Sequence, residues 1–80
     1  MSILTAVKIG HSIRELRVGK FMTQEELARA AWISLRQLVR IERNEVEPRF
    51  TTIRKLAGVL GVEPSELLDA EELASRTVQH

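Results

Sequence analysis

Residues 23–43 contain two apolar patterns of helical period, and each follows a residue that is suited to begin a helix. A hydroxyl side chain at such a position accepts a hydrogen bond from a free N–H group of the first turn. Thr23 and Ser34 supply these hydroxyls, and Glu26 can complete a capping box with Thr23. The two helices therefore begin eleven residues apart, so only a tight turn can join them.

The apolar residues of this segment fall on one face of each helix. The pair on each helix is spaced by four or three residues, and the full set is Leu27, Ala31, Ile33, Leu38 and Ile41. The small Ala28 would let the second helix come close to the first. Two short helices that press these faces against one core form a helix-turn-helix.

The segment and its flanks resemble the Cro/repressor family of helix-turn-helix DNA-binding proteins. Within the motif the matching fragments are Gln24-Glu25-Glu26-Leu27-Ala28, Ile33-Ser34 and Arg40-Ile41-Glu42-Arg43-Asn44. Outside it they are Ile9-Gly10, Ile13-Arg14-Glu15-Leu16-Arg17, Pro48, Leu56-Ala57, Leu60-Gly61-Val62 and Glu66-Leu67-Leu68. The resemblance implies an all-α fold, a compact five-helix domain whose helices 2 and 3 form the helix-turn-helix. We expect this domain over residues 1–70, followed by a tail, residues 71–80.

The composition is compatible with one small helical domain. A chain of 80 residues buries only about 60% of its unfolded surface, so its core must be compact. There is no cysteine, and His11 and His80 are too far apart to suggest a ligand pair, so we expect no metal and no cofactor. The start of the chain fits neither a signal peptide nor a membrane span, because its short apolar run is broken by Lys8. A cytoplasmic location is therefore expected.

The formal net charge is +1, but the charge is unevenly distributed. Residues 1–63 carry eleven Lys or Arg and seven Asp or Glu, whereas residues 64–80 carry one Arg and four acidic residues. Four arginines, Arg36, Arg40, Arg43 and Arg49, cluster around the second motif helix and the loop after it. A local basic patch of this kind suits a phosphate backbone.

A first helix is predicted upstream of the motif, because Ile9, Ile13 and Leu16 recur at helical spacing. It should run from about residue 6, behind a Thr5 cap, to about residue 18, with Gly19 as its stop. The resemblance further implies an ion pair between Arg17 and Glu42, which would connect the first and third helices. The alternative is a solvated Arg17.

Three positions where the family usually has glycine hold other residues here, namely Phe21, Trp32 and Asn44. Asn44 can end the third helix in the left-handed region, which Asn tolerates better than most residues. At Trp32, either the residue bears the strain of a positive φ or the turn is altered. We expect its ring to pack partly buried over the domain, and the alternative is that it stacks on a partner.

Residues 34–43 form the candidate recognition helix, with Leu38 and Ile41 directed inwards. The residues expected to read bases lie on its other faces and are Leu35, Arg36, Gln37 and Arg40. An Arg can donate two hydrogen bonds to guanine, a Gln can bond adenine, and a Leu can contact a thymine methyl group. Without the motif, such side chains would be interpreted as a solvated helix face.

The expected contacts to the DNA backbone come from Gln24, Ser34, Arg43 and Arg49. Arg49 follows a proline, and family members commonly bring the residue at this place to phosphate or to the adjacent minor groove. The neighbouring Glu45 and Glu47 would repel phosphate, so we expect them to point away.

A fourth helix is predicted over residues 50–60, ending at Gly61, with an apolar stripe of Phe50, Ile53, Leu56, Ala57 and Leu60. Gly58 could permit the close approach of another helix. A fifth helix should begin at Pro64 and bury Leu67 or Leu68. Beyond it, the stripe Leu67, Ala70, Ala74 and Val78 suggests a helical extension, and the alternative is a disordered acidic end.

These features together predict a sequence-specific transcriptional regulator that binds double-stranded DNA as a homodimer on a near-palindromic operator. The dimer contact is expected to involve some of Val59, Val62, Leu67, Leu68, Ala74 and Val78. An antitoxin or a restriction-modification controller would look alike, and a module that binds a protein partner is the alternative from another class. An enzyme is not expected, because no nucleophile, His and carboxylate occur at a recognisable spacing.

Overall fold

The computed structural model describes residues 2–68, and the side chains from residue 9 onwards. This part of the chain is all-helical and contains no strand, as predicted. Its helices are α1 (Ser2–Gly19), α2 (Gln24–Ala30), α3 (Leu35–Glu42), α4 (Phe50–Leu60) and α5 (Pro64–Leu67). The expected helical extension, with Ala70, Ala74 and Val78, lies outside the described residues.

The start of α1 differs from the prediction, because the helix begins before Thr5 and that residue is not its cap. No glycine or proline precedes residue 10, so nothing in the sequence stops the helix at Thr5. At the other end, Gly19 is the last helical residue rather than the residue after it.

The two motif helices begin at the predicted caps. The Thr23 hydroxyl accepts from the Glu26 N–H at 3.0 Å, and the Glu26 carboxylate accepts from the Thr23 N–H at 2.8 Å, which completes the capping box. The Ser34 hydroxyl accepts from the Gln37 N–H at 3.0 Å. Each cap satisfies backbone donors that have no partner within the helix. The helix-turn-helix is therefore fixed at both helix starts.

The core is built from aliphatic side chains of every helix. Its buried hydrophobic residues are Ile9, Ile13, Leu27, Ala28, Ala31, Leu38, Ile41, Ile53, Leu56, Ala57, Leu60, Leu67 and Leu68. Both leucines at the end of α5 are buried, where the sequence predicted one or the other. The stripe of α4 is correct except for Phe50, whose exposed fraction is 38%.

Four turns of the described chain pass through the left-handed region, at Phe21 (φ 58°), Trp32 (φ 59°), Asn44 (φ 60°) and Gly61 (φ 74°). A non-glycine residue there costs roughly 1–2 kcal/mol, and Asn costs less than a bulky residue. Phe21 and Trp32 therefore bear strain at positions where the family usually has glycine. At Trp32, the turn between α2 and α3 therefore has the positive φ that was expected there, and the residue bears the strain.

The prediction that Trp32 packs over the domain is wrong. Its exposed fraction is 87%, and that of Phe21 is 94%. Trp32 lies in the turn after α2 in the left-handed region, and the neighbouring buried position is taken by the small Ala31.

The approach of α1 to the end of α3 is the tightest helix contact in the described chain that involves a glycine. A Cβ atom added to Gly10 would lie 2.5 Å from the Ile41 carbonyl oxygen and 2.6 Å from Asn44 Oδ1. The Gly10 N–H donates to that same Oδ1 at 3.1 Å. By contrast, a Cβ atom added to Gly58 meets no heavy atom within 4 Å, so the expected helix approach there does not occur within the described residues.

Candidate nucleic-acid interface

Helix α3 is anchored by one face and free on the other. Leu38 and Ile41 are fully buried, which fixes the rotation of the helix on the core. The predicted base-reading residues are all exposed: Leu35, Arg36 and Gln37 in the first turn of α3, and Arg40 in its last turn. Arg36, Gln37 and Arg40 of this set line one groove, whereas Leu35 is exposed outside its lining.

An open groove of about 390 Å³ runs between α3 and the loop that leads to α4. Its lining includes Arg36, Arg40 and Arg49, together with Ser34, Gln37, Ile41, Val46, Glu47 and Pro48. The three arginines come from two different elements, so the fold brings together cations that are up to thirteen residues apart. Arg43 lies at the end of α3 and does not line this groove.

The loop acid Glu45 lies beside two of the assigned arginines. Its carboxylate is 3.7 Å from Arg40 Nε and 3.8 Å from Arg43 Nη1, and all three side chains are about half exposed or more. Its backbone N–H also donates to the Arg40 carbonyl at 2.9 Å, which holds the loop against α3. Glu45 thus offsets part of the positive charge of this face, and Glu47 lines the groove, although both were expected to point away.

Arg17 and Glu42 form the ion pair that the resemblance implied. Arg17 Nε donates to Glu42 Oε2 at 2.7 Å and its Nη2 donates to Oε1 at 3.1 Å, with exposed side-chain fractions of 12% and 3%. Arg17 Nη1 donates to the Met22 carbonyl at 2.9 Å. The bidentate geometry satisfies both charged groups away from water and connects α1 to α3.

Gln24 belongs to the same network, because its Nε2 donates to Glu42 Oε1 at 3.0 Å. The sequence predicts for Gln24 only a contact to the DNA backbone. A Gln amide has a second N–H donor, so this contact leaves one donor available. No spacing in the sequence indicates the contact, since it depends on the rotation of α2 against α3.

The expected dimer residues divide into two groups. Val59 and Val62 are half-buried and pack against the core, whereas Leu67 and Leu68 are buried within it. The expectation that only one of these leucines is buried is wrong, because α5 is only four residues long and both leucines at its end are in the core. Ala74 and Val78 lie outside the described residues.

The sequence of this chain matches a known protein family. The "Helix-turn-helix" family model matches residues 13–67. The chain belongs to the Cro/repressor-type helix-turn-helix family. This is a family of DNA-binding transcription regulators and not of enzymes.

Relatives of this helix-turn-helix protein include regulators of several kinds. The "Immunity repressor protein" of Bacillus phage phi105 is 34% identical over 65 residues, which is 81% of this chain and 45% of the repressor. The chain thus spans less than half the length of that curated relative.

Solved structures that share the fold include two whose described functions bear on this chain. The restriction-modification controller protein C.AhdI from Aeromonas hydrophila is 36% identical, with a TM-score of 0.76 over 79% of this chain and 96% of that one. A SinR protein/SinI protein complex contains a chain that is 30% identical, with a TM-score of 0.75 over 89% of this chain and 75% of that one. Within residues 2–68, no helix is long and apolar enough to cross a membrane.

Proposed function

We propose that this protein is a sequence-specific transcriptional regulator that acts in the cytoplasm and places α3 in the major groove of double-stranded DNA. The observation that carries the proposal is the groove where Arg36, Arg40 and Arg49 meet on the exposed side of a family helix-turn-helix. Membership of a DNA-binding family supports it, as do the repressor and controller names of the relatives.

The base-reading residues in this proposal are Leu35, Arg36, Gln37 and Arg40, because their side chains are exposed on α3. The two arginines suit guanine, the glutamine suits adenine, and the leucine suits the methyl group of thymine. Each good bidentate contact is worth about 1–3 kcal/mol of discrimination against a wrong base.

The backbone-contacting residues in this proposal are Gln24 and Ser34 at the starts of α2 and α3, Arg43 at the end of α3, and Arg49 where the loop meets α4. Contacts of this kind go to phosphate and fix the register of the protein without reading sequence. Gln24 is suited to this because Glu42 holds its amide in place from within the domain. Arg49 is suited because it is exposed where the loop meets α4 and lines the groove beside the reading helix.

The working unit is a homodimer on a near-palindromic operator. One α3 offers only four reading side chains, which is too few to select one genomic site among many competitors. Two copies that enter successive major grooves hold their helices about 34–36 Å apart. In this proposal residues 1–70 form the DNA-binding domain and the tail, residues 71–80, assists dimerisation.

Selection from a pool of random DNA duplexes tests the proposal. The unaltered protein should enrich one two-fold symmetric motif, and Arg36→Ala should lose preference at one base pair of each half-site. Arg14→Ala, which removes an exposed arginine of α1 on another face, is the matched control and should enrich the same motif. A pool without any enriched motif would contradict the proposed function.

The second candidate is a module that binds another protein, such as an antitoxin. The exposed Trp32 favours it, and so does the likeness to a chain from a complex of two proteins. A module of this type would bind its protein partner, and it would enrich no DNA motif in the selection from random duplexes. A restriction-modification controller would also bind DNA of a particular sequence, so this role belongs to the first proposal.

A further inference from the structure

The outer surface of α3 carries two aliphatic side chains that its packing does not use. Leu38 and Ile41 are fully buried and attach the helix to the core. Leu35 is 40% exposed, and Val39 is half-buried but is not among the partly buried side chains that pack against the core. Valine is also a weaker helix former than alanine or the long polar residues. Neither core packing nor helix propensity therefore accounts for Val39.

Leu35 and Val39 lie together on one flank of the exposed face of α3. They are four residues apart, so their Cβ atoms are about 5–6 Å from each other on the helix surface. With 3.6 residues per turn, the next positions around the helix on one side of this pair are Arg36 and Arg40. The aliphatic pair therefore borders the arginines that line the groove beside α3.

The other neighbour of the pair around the helix is Glu42. Its Oε1 atom accepts from the Gln24 amide at 3.0 Å, so this flank of α3 faces the start of α2. Leu35 and Val39 thus lie between the arginines assigned to bases and the glutamine assigned to the DNA backbone. They are inside the surface that meets DNA in the proposed function, and not at its margin.

A methyl group is the feature of the major groove that aliphatic side chains can recognise. Thymine presents one at C5, whereas the other standard bases present hydrogen-bonding groups. Successive bases of a strand are about 3.4 Å apart, so side chains about 5–6 Å apart can contact methyl groups on pyrimidines one or two steps apart. 5-Methylcytosine carries its methyl group at the same ring position.

We propose that Val39 is a further base-reading residue and that, together with Leu35, it forms an apolar strip that recognises the 5-methyl groups of neighbouring pyrimidines. The inference rests on the proposed function, since the strip meets bases only when α3 lies in the major groove. It adds a ligand class to that function, the 5-methylpyrimidines. The strip reads methyl groups on one side of the half-site, and the arginines read hydrogen-bonding groups on the other.

Replacement of thymidine by deoxyuridine in the operator tests the strip. This change removes one methyl group and leaves the hydrogen-bonding groups of the base pair unchanged. Each thymine of the operator selected from random duplexes is replaced in turn, and the Kd of the unaltered protein is measured. At one or two positions of each half-site we expect the Kd to rise about fourfold per methyl group, as for the loss of one buried CH₂ group.

Two alanine variants assign each methyl group to a side chain. Val39→Ala and Leu35→Ala should each lose the response to deoxyuridine at one position and keep it at the other. Alanine is the strongest helix former, so both variants should keep α3, and their melting temperatures check this. Val18→Ala is the matched control, because it shortens an exposed valine of α1, and it should keep the full response.

Cytosine at the same positions separates the methyl group from the other groups of thymine. A duplex with 5-methylcytosine there should bind about fourfold more tightly than the duplex with cytosine, since the two differ by one methyl group. Val39→Ala or Leu35→Ala should abolish this difference at the corresponding position. Equal binding of the two duplexes by the unaltered protein would contradict recognition of 5-methylpyrimidines as a class.

The outcomes separate the strip from the proposed function. An enriched motif whose thymines all tolerate deoxyuridine, or a deoxyuridine response that both alanine variants retain in full, would overturn the strip. Either result would leave the proposed function standing, because the motif itself shows sequence-specific binding. The absence of any enriched motif would contradict the proposed function and, with it, the strip.

Discussion

At Gly10, α1 lies so close to the end of α3 that a single methyl group would collide with backbone. Gly10→Ala would place Cβ 2.5 Å from the Ile41 oxygen and 2.8 Å from the Glu42 oxygen, and neither carbonyl belongs to a flexible side chain. We expect a loss of several kcal/mol in the free energy of unfolding, at or above the range of about 1–3 kcal/mol for overpacked cores.

Gly19→Ala provides the matched control in the same helix, because its added Cβ atom meets nothing within 4 Å. It should stabilise the protein by up to about 1 kcal/mol, the difference in helix propensity between glycine and alanine. Urea denaturation of both variants measures the contrast. Equal effects of the two substitutions would contradict the close approach of α1 and α3.

Glu42 accepts hydrogen bonds from Arg17 and Gln24, and Arg17 in turn donates to the Met22 carbonyl. Glu42→Ala would leave the Arg17 guanidinium, only 12% exposed, without its counter-charge. Removing one partner of a buried ion pair costs roughly 3–5 kcal/mol, so we expect a large fall in melting temperature. Glu15→Ala, which removes the exposed contact to His11, should change stability by less than about 0.5 kcal/mol. An unchanged melting temperature for Glu42→Ala would show that the pair does not join the helices.

Among the elements, α3 and the loop after it should give different phenotypes when mutated. Arg40→Ala should relax preference at a particular base pair by about 1–3 kcal/mol, because Arg40 lies on the exposed side of α3. Arg49→Ala should weaken binding to all sequences alike and flatten the salt dependence by about one unit. Titrations at several salt concentrations against point-mutated operators measure both quantities, and an exchange of the two phenotypes would refute the assignment.

The loop residue Glu45 should lower the affinity for DNA, whereas Arg49 should raise it. Glu45→Gln removes the carboxylate beside Arg40 and Arg43, so it should raise affinity for unrelated DNA and steepen the salt dependence. Glu15→Gln removes an acid that contacts His11 on α1 and serves as the control. If Glu45→Gln binds random DNA no more tightly than this control, Glu45 does not offset the charge of the DNA face.

The sequence predicted elements where local chemistry decides the outcome. Thr23 and Ser34 begin α2 and α3 because their hydroxyls satisfy the first free N–H groups, and Asn44 takes the left-handed conformation that few other residues tolerate. Trp32 could not be placed in this way. Whether its ring packs depends on what the neighbouring helices leave open, and that is set by packing between elements distant in sequence.

At the scale of the whole molecule, two grooves share no lining residue and carry different chemistry. The first is lined by arginines of α3 and its loop, and the second, between the end of α2 and α4, is apolar at its centre, with Trp32 at its edge. The sequence anticipated the first, since the basic residues cluster along the chain. It did not show that Leu67 and Leu68 are both buried, because that depends on how α5 docks against α1 and α4.

In the proposed complex, two copies of α3 read successive major grooves of one operator. Hydroxyl-radical footprinting of the operator selected from random duplexes measures this directly. We expect two protected half-sites related by two-fold symmetry, with centres about 10–10.5 base pairs apart, or a multiple of that, on one face of the duplex. A single short asymmetric footprint, occupied by one copy with high specificity, would contradict the account.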